Sequence, residues 1–305
     1  MSPRNRPGSS WEAKAFAHFE RLPKKVFLRT EFANILHKHA DEWEAPRSLT
    51  PSRLITVLQK RGALRTIRLK LSRAIDAPDE TPSENRKVLT RFGWGNTSPY
   101  SVGASLRSGA YLSHASAVFL HGLTDELPKT IYVNKEQSAK AFRSPVLTQD
   151  AIDRAFKNRQ RRSTYIFDWD AYRFVLLSGK NTNRLEVSEI KTDDGSVVSV
   201  TKLERTLIDI VVRPLYAGGV FEVAKAYVAA KGRLSASTLI ATLRKLEYVY
   251  PYHQAIGYYL ERAGLEQKTL ERFRALGLRH DFYLANDIAS PQYVPQWRLW
   301  VPKDL

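Results

Sequence analysis

The chain has 305 residues with 48 Lys and Arg against 31 Asp and Glu, a formal charge of +17, and 43% hydrophobic residues. A charge of that size attracts polyanions, nucleic acid first, with acidic protein or anionic membrane behind it. The hydrophobic fraction excludes wholesale disorder, the absence of cysteine excludes disulfides, Cys-based zinc sites and a thiol nucleophile, and no apolar run approaches the roughly 20 residues that span a bilayer.

Residues 1–10 are polar, rich in Pro, Arg and Ser, and lack the apolar stretch of a signal peptide, so a disordered tail and a cytoplasmic location are expected. Trp11, Ala15, Phe16 and Phe19 recur at helical spacing up to Pro23, and Val26-Phe27-Leu28 reads as a short strand. Thr30 is a candidate N-cap for a helix whose apolar face is Phe32, Ile35, Leu36, His39 and Trp43. Between Arg47 and Ala74 lie eight basic residues and no Asp or Glu. There Thr50 caps and Pro51 opens a helix with Leu54, Val57 and Leu58 on its apolar side, and Gly62 ends it. Leu64, Ile67, Leu69 and Leu71 then alternate with basic residues in a ribbon. Helix, short strand, helix, helix and basic ribbon are the order of a winged helix-turn-helix, expected over 11–75.

Opposite the apolar side of the third helix stand Thr50, Ser52, Arg53, Thr56, Gln59, Lys60 and Arg61. Arg53 and Gln59 have the bidentate groups that read base edges; Thr56, Lys60 and Arg61 suit phosphate. Arg65, Arg68, Lys70 and Arg73 would reach phosphate or the minor groove from the ribbon, with Arg65 at its tip. A solvated face usually mixes in acids, and this one has none.

Residues 76–98 lose periodicity and read as a linker. A larger mixed unit is expected over 99–305, making the chain α+β with two domains. Helix is read at Ala104 to Leu106 and at Ser113 to Gly122, strand at Ile131 to Val133. The segments Thr164–Phe167, Tyr172–Leu177, Leu185–Ile190 and Ser196–Val200 form a mostly antiparallel sheet. Thr201-Lys202-Leu203-Glu204 has the form of a capping box opening a helix. Helices at about 220–231, 235–247, 252–263 and 266–276 form a C-terminal bundle, and two closing strands, at Phe282–Leu284 and Trp297–Val301, could join the sheet.

Two stretches, LRSGAYLSHASAVFLHGLTDELPKTIYV at 106–133 and VSVTKLERTLIDIVVRPLYAGGVFEVAKAY at 198–227, resemble the AbiEi family, as does the ending WRLWVP at 297–302. These proteins are antitoxins and transcriptional regulators of bacterial abortive-infection, type IV toxin–antitoxin systems. The resemblance implies a DNA-binding N-terminal domain that represses its own operon at inverted repeats. It also implies a C-terminal domain that counteracts a nucleotidyltransferase toxin, by contact or by opposing the toxin's effect, with Ser113, His114, His121, Glu204, Arg205, Asp209, Gly218 and Gly219 in the shared motifs. The bland reading of those residues is structural: Ser113 a helix cap, Glu204 the capping-box partner of Thr201, Arg205 and Asp209 an i, i+4 ion pair, Gly218-Gly219 a positive-φ break.

His114 and His121 are seven apart, whereas helical metal pairs use three or four, and no metal or cofactor is expected. The basic run Arg154, Lys157, Arg159, Arg161 and Arg162 is either a solvated face or an auxiliary phosphate or acidic-protein contact. Two alternatives accompany the antitoxin reading. One is a stand-alone winged-helix regulator with a sensing or dimerising second domain. The other is a magnesium-dependent nuclease, with Asp168 or Asp170 on one strand and Glu189-Ile190-Lys191 on its neighbour.

Overall fold

The computed structural model describes residues 10–72, 88–139 and 146–305. Three helices and a short strand open it: α1 (Ser10–Arg21), β1 (Val26–Phe27), α2 (Arg29–His39) and α3 (Pro51–Lys60). Leu28, not Thr30, occupies the N-cap of α2, and its backbone N–H donates to Glu31 at 2.8 Å. Trp43 falls in the turn after α2 and is fully buried all the same. In α3, Thr50 Oγ1 accepts from the Arg53 N–H at 3.2 Å, as the Thr-Pro signal predicts. Ile55 joins Leu54 and Leu58 on the buried side, and Val57 sits at its margin. Phe19, Phe27, Phe32, Phe92 and Trp94 gather around these helices in edge-to-face and stacked pairs.

The ribbon is β2 (Leu64–Ser72) paired antiparallel with β3 (Val88–Trp94), from Leu64↔Trp94 to Lys70↔Val88. The stretch expected to be linker is therefore a strand over 88–94. After it come α4 (Pro99–Ala104), β4 (Tyr111–Leu112), α5 (Ala115–Leu120), β5 (Thr130–Glu136) and α6 (Gln149–Lys157). β6 (Ile166–Trp169), β7 (Tyr172–Gly179), β8 (Val187–Lys191) and β9 (Val197–Thr201) follow. The helices α7 (Leu203–Val212), α8 (Val220–Ala230), α9 (Ala236–Leu246), α10 (Tyr252–Arg262) and α11 (Gln267–Arg274) precede β10 (Phe282–Tyr283), β11 (Pro291–Val294) and β12 (Leu299–Pro302).

Nine strands form one sheet in the order β1-β3-β2-β6-β7-β5-β4-β9-β8. It is mixed: β5 runs parallel to β7 and β4 to β9. The fold is α+β, and the sheet crosses the boundary expected near residue 75, because Lys70, Leu71 and Ser72 of β2 pair with Asp168, Phe167 and Ile166 of β6. One face of the ribbon, Leu64, Phe92 and Trp94, packs on α1 to α3. The other, Ile67 and Leu69, shares a core with Val102, Ile131, Val133 and Phe174 of the larger region. The closing strands do not join this sheet; β10, β12 and β11 make a separate one beside α10.

Candidate functional site

Side chains directly opposite each other in an antiparallel pair share a face. Leu64, Thr66, Arg68 and Lys70 therefore lie on the ribbon face that carries α3, and Gln59 Nε2 of α3 donates to Thr66 Oγ1 at 2.8 Å. Arg68 and Lys70 stand two and four residues further along, about 7 and 13 Å at a strand's rise, where the helices no longer cover the sheet and both are exposed. On α3 itself Ser52, Arg53, Thr56 and Lys60 are exposed. Among the described residues Arg53, Lys60, Arg68 and Lys70 make no side-chain hydrogen bond or ion pair. Four unneutralised cations thus project from one continuous surface.

Several expected members are engaged elsewhere. Arg61 reaches back to α1 and pairs with Glu12 at 2.8 Å. Arg65 is not at the ribbon's tip. It opposes Gly93 near the start of β2 on the face turned to the larger region, donates to the Thr97 carbonyl at 3.4 Å and lies 5.5 Å over the Trp169 ring. Thr56 Oγ1 bonds the Ser52 carbonyl at 2.9 Å, a local back-bond within the helix. Arg73 lies outside the described residues. Arg29, which the sequence reading passed over, is exposed at the start of α2 and donates to Ser52 Oγ at 2.6 Å, bringing a fifth cation to this surface.

The motif residues of the larger region divide in two. Arg205 and Asp209 form a buried ion pair at 2.8 Å, their side chains 4% and 7% exposed. Arg205 Nη1 also donates to the Leu185 carbonyl at 2.9 Å and to Thr182 Oγ1 at 3.3 Å. Burial pushes the Asp209 carboxyl up, opposed by Arg205. His114 lies beside them at φ 52, and Ser113 Oγ bonds its Nδ1 at 2.9 Å, so Ser113 caps no helix. Burial, then Arg213 and Arg205, push His114 down to about 3, which keeps the imidazole neutral. Nearby, burial alone would raise Glu136, but N–H groups of Thr182 (3.1 Å) and Arg184 (3.2 Å), the Thr182 hydroxyl and the Tyr111 O–H (2.9 Å) hold it below the usual range.

His121 and Glu204 serve as braces. His121 Nε2 bonds the Thr201 carbonyl at 2.6 Å, and α5 ends before it, so the two histidines do not share a helical face. The capping box does not form: Lys202 is the N-cap of α7, Thr201 Oγ1 pairs with Thr206, and Glu204 Oε1 accepts from the Ser235 N–H at 2.8 Å. Gly218 and Gly219 take φ of 89° and 101° between a 3-10 turn and α8.

Of the basic run, Arg154 and Lys157 end α6, a helix the sequence reading missed although Thr148 caps it and Ile152 and Phe156 bury at i, i+4. Arg159 meets Asp287 at 3.3 Å, and the Arg161 carbonyl accepts from Tyr216 Oη at 3.2 Å. The nuclease constellation is not assembled. β6, carrying Asp168, and β8, carrying Glu189 and Lys191, are separated by β7, β5, β4 and β9, roughly 24 Å at normal strand spacing. Asp168 is instead held by Ser72 and by Arg173 at 3.2 Å. Among the described residues no three His, Cys, Asp or Glu side chains converge as metal ligands, and no helix is long and apolar enough to cross a membrane.

The comparisons with known proteins bear on the fold. The chain is similar to the RV2827C protein from Mycobacterium tuberculosis. Its crystal structure superposes with a TM-score of 0.55 at 14% identity, covering 97% of this chain and 93% of that one. No model of a known protein family and no curated protein matches the chain. At 14% identity the likeness to RV2827C is one of architecture, extending over nearly the full length of both chains.

Proposed function

We propose that the chain is a non-enzymatic transcription regulator that binds duplex operator DNA through a winged helix-turn-helix at its N-terminus. The observation that carries this reading is the surface on which Arg53 and Lys60 of α3, Arg29 of α2, and Arg68 and Lys70 of the ribbon stand exposed together, with no Asp or Glu in α3 or β2 themselves. In this reading α3 enters the major groove, where Arg53 donates to base edges, while Lys60, Arg68 and Lys70 neutralise phosphates. Inverted repeats in the protein's own promoter are the target, and the resemblance of 106–133 and 198–227 to AbiEi proteins supports a second role in restraining a nucleotidyltransferase toxin.

Fluorescence anisotropy on labelled promoter DNA across a salt series tests the first role. Lys60→Ala and Arg68→Ala are each expected to weaken binding and flatten the slope of log K against log salt by about one. Arg53→Ala should cost about 1–3 kcal/mol, with loss of preference for the operator over unrelated DNA. Arg65→Ala should leave binding near wild type, because that guanidinium faces Trp169. Unchanged binding in Arg53→Ala and Arg68→Ala together would reject the assigned face. The second role is read from the neighbouring genes and by co-expression with any nucleotidyltransferase found among them: rescue of growth supports the antitoxin, and absence of such a neighbour favours a stand-alone regulator.

A further inference from the structure

Within the larger region a cavity of about 100 Å³ opens between β5, β7, α7 and the turn after α9. Three cations border it, Arg205, Arg213 and Lys180, against a single carboxylate, Asp209. Arg205 and Asp209 satisfy each other, which leaves no carboxylate of the lining for Arg213. Lys180 is anchored from the rim, its Nζ donating to the Leu246 and Glu247 carbonyls at 2.7 and 3.0 Å. Arg213 is the group without a polar match. It is half-buried directly after α7, rests 5.9 Å over the Tyr216 ring, and among the described residues makes no ion pair and no side-chain hydrogen bond. A guanidinium has five N–H donors and a desolvation cost that an unpaired site leaves uncompensated.

The rest of the lining mixes apolar groups, Leu177 and Val212, with the polar His114, Asn134 and Tyr248. Asn134 is buried and donates to Tyr111 Oη at 2.7 Å, and its amide occupies the space a Cβ on Gly179 would need, 2.5 Å from Oδ1. Tyr248 closes another side. His114, also in the lining, is kept neutral first by burial, with Arg213 and then Arg205 adding to the shift. A volume of this size holds a tetrahedral or planar oxyanion and excludes a nucleotide.

We infer that this cavity is a binding site for a compact, doubly charged oxyanion of the phosphate class, held by Arg213 with Arg205 and Lys180 supplying the complementary field. The site is separate from the α3 and ribbon surface and stands independently of the operator reading. An anion there would tie the end of α7 to β7 and to the turn after α9, elements brought together from distant parts of the chain.

The test is calorimetric titration of the full-length protein with inorganic phosphate, ionic strength held constant with chloride. The exposed basic face also attracts phosphate, so the titration is repeated on the Arg53→Gln/Lys60→Gln double variant. The expected result is one saturable phosphate site per chain, kept in that double variant, and weakened at least tenfold in Arg213→Gln. Arg213→Lys, which retains the charge, should keep measurable binding and shows that a loss in Arg213→Gln is not misfolding. Three outcomes overturn the inference: no saturation above the chloride background, loss of the site in the Arg53→Gln/Lys60→Gln variant, or wild-type affinity in Arg213→Gln.

Discussion

His114 shows what a single buried side chain does to the pH response of the whole chain. Folded, its pKa is depressed to about 3 by burial and by Arg213 and Arg205; unfolded, it returns to the ordinary 6.5. Between those values the unfolded chain binds a proton that the folded chain does not, so unfolding gains ground as pH falls. The stability His114 contributes is complete above pH 6.5 and is lost at up to about 1.4 kcal/mol per unit as pH drops toward 3. His121 and His253, both lowered chiefly by burial, act in the same direction. Asn accepts positive φ better than most residues, so His114→Asn should fold, be less stable at pH 7, and lose stability less steeply between pH 6.5 and 4 in urea titrations. A slope equal to wild type would remove His114 from that account. Gly257 in α10 makes a second residue-scale case. A Cβ there would lie 2.2 Å from Trp297 Cζ3, and Trp297 is fully buried with its indole N–H on Glu261 at 2.8 Å. Gly257→Ala should lower stability by about 1–3 kcal/mol by overpacking, despite alanine's better helix propensity.

Elements were readable from the sequence where the cause of their structure is local. Thr50-Pro51 sets the start of α3 and Ser235 that of α9, and in both the hydroxyl accepts the N–H three residues on, at 3.2 Å. The alternation of Ile67 and Leu69 with Arg68 and Lys70 marks β2 because only one side of the ribbon meets the larger region there. What failed to read was whatever depends on a distant partner. Nothing local to Val88–Trp94 says that it lies along β2, and its final four residues are buried, which erases the period of two. Thr201-x-x-Glu204 fits the capping pattern, yet Thr201 is drawn into β9 and its hydroxyl into Thr206. Glu204 consequently works on another element, holding the Ser235 N–H that precedes α9. Glu204→Ala should therefore cost about 1–2 kcal/mol through α9, without altering DNA affinity at fixed salt. Amide exchange resolves the effect by residue: protection should fall in the first turn of α9 and stay unchanged in the first turn of α7, and the reverse pattern would restore the capping box.

At the scale of the whole molecule the decisive feature is the sheet that passes from the basic ribbon into the larger region. Val26, Ile67 and Leu69 belong to the same core as Ile131, Val133 and Phe174, so the N-terminal unit has an apolar face that only the rest of the chain covers. Arg91 reinforces the seam. It is 8% exposed in β3 and donates Nε to the Ser105 carbonyl at 3.0 Å and Nη2 to that of Leu106 at 3.3 Å, the free carbonyls beyond α4. Two domains joined by a flexible linker would melt separately; a common core and a shared sheet couple them. Thermal unfolding of the full chain is expected as one transition, with calorimetric and van't Hoff enthalpies equal and near-UV signals from both regions moving together. Arg91→Ala leaves two carbonyls without their donor and should lower that single transition by the equivalent of about 2–3 kcal/mol, or split it by weakening the seam. A fragment ending at residue 75 lacks β3 and should not fold, whereas one ending at 98 retains the ribbon but exposes Ile67 and Leu69, and should be less stable and self-associate. Two well-separated transitions in the intact protein, with the first matching an independently folded, monomeric 1–98 fragment, would show that the seam carries no energetic coupling.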